Sequence, residues 1–280
     1  MKSLLLIIIF ALSACADMPQ TRSILEDGRE SVPPAHSIAN VPWIEQTENH
    51  CGPASLAMVS EYEGVHVSLN GLTSMMFTPA RKGSLQLDLI GTARRLGLVA
   101  VPTFSLRNIL IEINADHPVI VLENLGSKRN PVWHYAVLVG YDLATKELRF
   151  HSGLNRDFIL SMNQFERVWS RAGAWSLVVL KAGTLPATAT LEDDLNAASA
   201  LERTQKFEEA KTVYLSINEK WPESMGALFG LGNVYYALGD YRASVMIFEK
   251  ASKLAPQSAD VRNNLAEGYL KLRQHKVARH

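Results

Sequence analysis

The chain has 280 residues, 47% of them apolar, and 28 Lys and Arg stand against 28 Asp and Glu. This length and apolar content suit two globular domains. The balanced charge offers no basic excess of the kind that binds nucleic acid, so no nucleic-acid partner is expected.

The first segment, residues 1–14, carries one Lys2 and an unbroken apolar run Leu4–Leu12. That run is about half of the ~20 residues a membrane-spanning helix needs, which predicts a cleaved export signal. Leu12-Ser13-Ala14-Cys15 resembles the bacterial lipobox, in which the cysteine becomes the first mature residue and receives lipid. The resemblance implies a lipid anchor on Cys15, a membrane contact through it, and a place in the bacterial cell envelope. Ala16 after the lipidated cysteine favours the periplasmic face of the outer membrane. Residues 15–37 are polar and contain prolines, and they predict a tether.

With Cys15 lipidated, Cys51 has no intramolecular partner. A leftover thiol in an exported protein points to a reactive or intermolecular role, against the plainer reading of a buried cysteine. Cys51-Gly52-Pro53 opens the apolar run Ala54, Leu56, Ala57, Val59, which predicts a helix over 51–62 with proline in its first turn. Cys51 is thereby placed at a helix N-terminus, where exposed N–H groups favour a thiolate. A helix near 85–96 follows, then strands near 99–104, 118–123, 133–141 and 147–152, a helix over 161–169 and a strand over 174–180.

Of the eight histidines, His36 and His50 lie in loop-like sequence, His66 and His117 near element ends, and His275 and His280 near the C-terminus. His134 lies in VWHYAVLVGYD, a continuous β-prone run, where a polar side chain needs a partner. It is either a satisfied core histidine or the base that activates Cys51. No Cys/His set has zinc spacing, and Gly83–Gly97 lacks the glycine spacing and lysine of a phosphate loop, so neither metal nor nucleotide cofactor is expected.

EQTENHCGPASLAM, with HYAVLVGYD beginning 83 residues after Cys51, resembles the bacteriocin-processing, double-glycine cysteine peptidases of the papain-like superfamily. The likeness covers about half of the chain, roughly residues 41–181, and places an α+β papain-like domain at 38–182. It implies Cys51 as nucleophile, His134 as general base and then acid, and Gln46 as oxyanion donor beside the Cys51 N–H. The chemistry would be acyl transfer through a thioester to water. The family's orienting Asp, in an Asp-Pro pair on the next strand, is absent: Phe150, His151 and Ser152 stand there. His151 is the expected replacement, with Asp142 or Asp157 as substitutes if the fold brings them close, or else it is a buried structural residue.

KAGTLPATAT, Lys181–Thr190, contains a linker at 183–190, and residues 191–280 read as helix throughout. With Met225 as position 1, Leu228, Leu231-Gly232, Tyr235, Ser244, Phe248 and Pro256 follow the 34-residue tetratricopeptide pattern. The preceding unit places Ala197-Ala198, Leu201, Ala210, Tyr214 and Pro222 in the same phase, and the following unit Leu265-Ala266, Tyr269 and Ala278. An all-α repeat domain is predicted, offering a concave surface to a protein partner. The expected activity is a membrane-anchored cysteine peptidase acting on a peptide or envelope protein. The alternatives are a catalytically degenerate peptidase-like adaptor, or an amidase or acyltransferase using the same Cys–His pair.

Overall fold

The structure is a computed structural model described over residues 18–27, 32–46 and 49–277, the side chains of 274–277 excepted. The leader and Cys15 lie outside the described residues. In chain order the elements are α1 (Pro19–Asp27), β1 (Ala35–Ser37), α2 (Cys51–Tyr62), α3 (Leu69–Met76), a 3-10 turn (Pro79–Arg81), α4 (Gln86–Arg95), β2 (Val99–Thr103) and α5 (Leu106–Asn114). Then come β3 (Val119–Asn124), β4 (Trp133–Asp142), β5 (Glu147–Ser152), β6 (Asn155–Ser161), α6 (Met162–Arg171) and β7 (Ser176–Leu180). Five helices end the chain: α7 (Leu191–Arg203), α8 (Phe207–Lys220), α9 (Met225–Ala237), α10 (Tyr241–Leu254) and α11 (Ala259–Val277).

The strands form one antiparallel sheet in the order β2-β7-β3-β4-β5-β6. β3, β4 and β7 are rich in Val, Ile and Leu because both faces of the sheet are covered, so these strands read as apolar runs rather than alternations. Phe150 of β5 meets Phe165 of α6 on one face, with ring centroids 5.3 Å apart. On the other face Tyr135 of β4 reaches the Ser84 carbonyl at 3.3 Å, in the loop before α4. β1 continues β3's place along β4, pairing Ala35 with Asp142 and Ser37 with Gly140. A Cβ on Gly140 would stand 3.0 Å from the His36 carbonyl, so a larger residue there would push β1 away by a few tenths of an ångström.

The segment expected to be a tether is, over its described part, docked structure. Glu166 of α6 accepts from the N–H groups of Gln20 and Thr21 at 2.9 and 2.7 Å, and from the Thr21 hydroxyl at 2.7 Å. These amides are the orphan donors of the first turn of α1, so a carboxylate from another element caps that helix. Ile24 is buried beneath it.

The 34-residue period becomes two helix hairpins, starting at Leu191 and Met225, and a further helix starting in phase at Ala259. Each turn has its own punctuation: Thr190 and Asp193 cap α7 reciprocally, Ser224 caps α9 and Asp240 caps α10. Residues 183–190, expected to be a plain linker, are held by Glu112 of α5. Its carboxylate accepts from the Thr188 N–H and hydroxyl at 2.7 and 2.6 Å, and from the Ala187 N–H at 3.1 Å. His117 bonds the same carboxylate at 2.7 Å.

Burial raises the Glu112 carboxyl, but the bonds from His117, Thr188 and Ala187 outweigh it and hold the group below its ordinary range. A depressed carboxyl contributes stability that is present above ~4.3 and is lost as the pH falls through the folded value. Glu112→Ala is expected to cost about 3–5 kcal/mol, because it strands buried donors. Urea unfolding across pH checks this, and the variant's acid limb should be flatter than that of the wild type.

Candidate active site

A cleft of about 960 Å³ opens where β4 begins, and Gln46, Cys51, Ser84, Leu122, Trp133 and His134 are among the residues lining it. Cys51, the first residue of α2, is partly buried and has no disulfide partner. His50, just before it, makes no side-chain cap. The first amides of α2 are therefore left for the thiol: the N–H groups of Cys51 and Gly52, together with that of Tyr135 on β4, act on it and favour the thiolate. Burial acts in the opposite direction and is stronger, so the Cys51 thiol lies above its ordinary value. Burial also lowers His134. Burial thus favours a neutral thiol and a neutral imidazole in the same cleft, not the preformed ion pair that a helix N-terminus alone would produce.

Gln46 is buried, and its amide is clamped from both ends. Its Oε1 accepts from the Gly153 N–H at 2.7 Å, and its Nε2 donates to Ser55 Oγ of α2 at 3.2 Å. Its backbone N–H also donates to the Gly153 carbonyl at 3.1 Å. One hydrogen of the Nε2 amide is spent on Ser55. The second remains to meet an oxygen in the cleft.

His134 Nε2 lies 2.8 Å from Ser152 Oγ. With Nε2–H donating to the hydroxyl, the lone pair of Nδ1 is free to take a proton. His151 does not orient His134. Val137 pairs with His151 and Leu138 with Phe150, so the two-residue period of a strand turns His151 to the other face from His134. There it is buried, with Nε2 3.2 Å from the Val41 carbonyl and Nδ1 without a partner. Burial lowers its basicity. Ser152, one residue later, shares the face of His134. The strand alternation was a signal that could have found it, had the register of β4 against β5 been known. Asp142 accepts from the Ala144 and Thr145 N–H groups in the β4–β5 turn, and Asp157 faces Arg149 at 3.9 Å, so neither serves the imidazole.

Residues 38–176 match the Peptidase_C39 like family, and residues 195–259 and 231–279 match the tetratricopeptide repeat. The chain carries a C39-like peptidase domain followed by tetratricopeptide repeats. The α+β fold with its antiparallel sheet is that of the C39-like domain, and the helical hairpins are the repeats. Similar solved structures include a C39-like peptidase from Bacillus anthracis, at 20% identity over 52% of this chain and 98% of that one, with a TM-score of 0.45. The peptidase domain of Streptococcus ComA, a bi-functional ABC transporter, is 21% identical over 51% and 99%, with a TM-score of 0.42. A double glycine motif protease from an AMS/PCAT transporter, solved with its leader peptide, is 27% identical over 51% and 93%, with a TM-score of 0.40. Among curated proteins nothing matches. No group of His, Cys, Asp and Glu among the described residues of the C39-like domain or the repeats is arranged to hold a metal ion.

Ser152→Ala should free the His134 ring and lower the alkylation rate of Cys51 about tenfold, the worth of one lost hydrogen bond. His151→Asp should bring no gain in rate, since the new carboxylate would face the Val41 carbonyl, and should lower the melting temperature. Alkylation kinetics and thermal melting of the two variants check both outcomes.

Proposed function

We propose that the protein is a cysteine peptidase that hydrolyses a peptide bond through a thioester. Cys51 attacks the carbonyl, His134 Nδ1 takes the thiol proton and later gives it to the leaving amine, and water releases the acyl group. Gln46 Nε2 and the Cys51 N–H stabilise the oxyanion. The observation that carries the reading is the convergence in one cleft of a helix-opening thiol, a hydroxyl-oriented imidazole and a clamped amide. The exposed Val132 and Trp133 on its rim suit an extended peptide with apolar side chains. The repeats dock the substrate protein or a partner, as such arrays present extended concave surfaces.

A second reading is favoured by one observation: burial opposes both charges of the Cys51–His134 ion pair, and Ser152 brings no charge to support it. On that reading the domain is a peptidase-like adaptor holding a protein partner. One experiment separates the two. The wild type should cleave members of a peptide library and Cys51→Ala none, with Cys51 alkylation rising at or above the ordinary thiol pKa of ~8.5. Absence of cleavage by the wild type, with Cys51 no more reactive than a small thiol, supports the adaptor.

The place proposed for the protein is the bacterial envelope, on the periplasmic face of the outer membrane, held by lipid on Cys15. No helix among the described residues is long and apolar enough to cross a membrane. Cys15→Ala should move the folded protein from the membrane fraction to the soluble one. Retention of the variant after a salt wash would refute the anchor.

A further inference from the structure

Glu123 is a buried carboxyl that the chemistry above leaves unused. It is 3% exposed, and its Oε1 has no hydrogen-bond partner. It stands on β3 among residues that are all buried, where an apolar side chain would cost far less. The register of the sheet pairs it directly with His134. Directly opposed residues of an antiparallel pair share a face, with Cβ atoms about 4.5–5.5 Å apart. His134 is therefore flanked on one face by two side chains, Glu123 from β3 and Ser152 from β5.

The two flanking groups divide what one carboxylate does in a Cys-His-Asp arrangement. Ser152 holds the ring in place but, as a hydroxyl that can donate or accept, brings no charge to an imidazolium. We propose that Glu123 is a positioning residue for His134, its carboxylate serving as counter-charge to the imidazolium formed when Cys51 gives up its proton. In that step the Cys51 S–H bond breaks, the electron pair stays on sulfur, and the proton forms an N–H bond at Nδ1. No further reagent is needed. The proposal rests on the peptidase reading for its purpose, though not for its measurement.

The surroundings of Glu123 leave it to His134. Arg171, at the end of α6, spends its guanidinium on the Asn124 carbonyl at 2.8 and 3.3 Å. β7 pairs with β3 only as far as Val121, opposite Ser176, and brings no titratable side chain there. Glu112 of α5 is committed to His117 and Thr188 beyond the opposite end of β3. Besides His134, the titratable groups lining the cleft are Cys51 of α2, Arg81 and Lys82 at the 3-10 turn and Tyr135 of β4, and none of them is hydrogen-bonded or ion-paired to Glu123. Burial alone pushes the Glu123 carboxyl up to about 7, so both of its forms are populated near neutrality, and a proton gained by His134 favours the ionised one.

The test is an NMR titration of the histidine ring nitrogens in the full chain, for wild type, Glu123→Gln and Glu123→Asp. The His134 pKa should fall by at least about one pH unit in the Gln variant and recover partly in the Asp variant. The Gln variant should melt no lower than wild type, because it loses a buried unpaired carboxyl. Its hydrolysis rate should fall about tenfold, the counterpart of one pH unit. An unmoved His134 titration in a folded Gln variant overturns the proposal. So does a Gln variant that melts far below wild type while the Asp variant leaves His134 unmoved, since that assigns Glu123 to packing. The titration needs no turnover: a chain that cleaves nothing yet shows the coupled titration upholds the counter-charge and counts against the peptidase reading alone.

Discussion

The site depends on one turn, Ser152-Gly153, at the end of β5. Ser152 Oγ holds His134, and the next amide, Gly153 N–H, holds Gln46 Oε1. Gln46 in turn donates to Ser55 on the helix that Cys51 opens. An unbroken run of bonds therefore links the imidazole to the helix bearing the thiol, through residues far apart in sequence. Gly153 has φ +59°, a left-handed conformation that glycine adopts without strain, and a Cβ there would meet nothing. Conformation, not space, is what the position requires. Each bond is worth only about 1 kcal/mol of stability. Their importance lies in register, because an angular error at this turn would move His134 and Gln46 together.

The same enclosure that orders these groups works against their charges. Three amides, two of them at the N-terminus of α2, favour the Cys51 thiolate, yet burial outweighs them. Burial likewise lowers His134. In the proposed reaction a neutral resting pair would hold its proton until the transition state, so stabilisation would be wanted there rather than in the ground state. An imidazole oriented by a hydroxyl suits that regime, since it fixes geometry without forcing early charge separation. A buried carboxyl paired with His134 across the strands would then supply charge only as the proton moves.

What the sequence discloses and what it hides follow one physical division. Helix 51–62, the strands of the central sheet and the phase of the repeats were legible because each repeats a local pattern. β4 is a β-prone run, and α7, α9 and α11 start at equal spacing. α1 was not legible, since PQTRSILED buries little apolar surface and is held by Glu166, 145 residues away. β1 exists only through its pairing with β4. α3, α5 and the exposed edge strand β6 were likewise passed over. α5 has a usable apolar face in Leu106, Ile109, Leu110 and Ile113 and could have been found. At the site, Cys51, His134 and Gln46 carry a motif and do converge on one cleft. Ser152 and Glu123 carry none. Their roles come from strand register, which pairs Glu123 with His134 and turns His151 away.

The attachment of the repeats bears on how the cleft is used. Glu112 binds the connecting segment, and the Thr204 hydroxyl reaches the Arg94 carbonyl at 3.4 Å. Glu209 of α8 lies so close to Gly97 that a Cβ there would stand 2.7 Å from its Oε1. Apolar residues of α7 and α8, Leu201, Val213 and Ile217 among them, belong to the same core as the sheet. A module on a flexible linker raises the local concentration of its ligand but leaves orientation free. Here the first hairpin is built into the domain's core, so a protein held by the repeats has a fixed direction towards the cleft. Specificity can then come from which segment reaches Cys51, with few contacts needed at the cleft itself. Such an arrangement serves a peptidase that cuts one site in a large partner, and it serves equally a domain that only grips that segment.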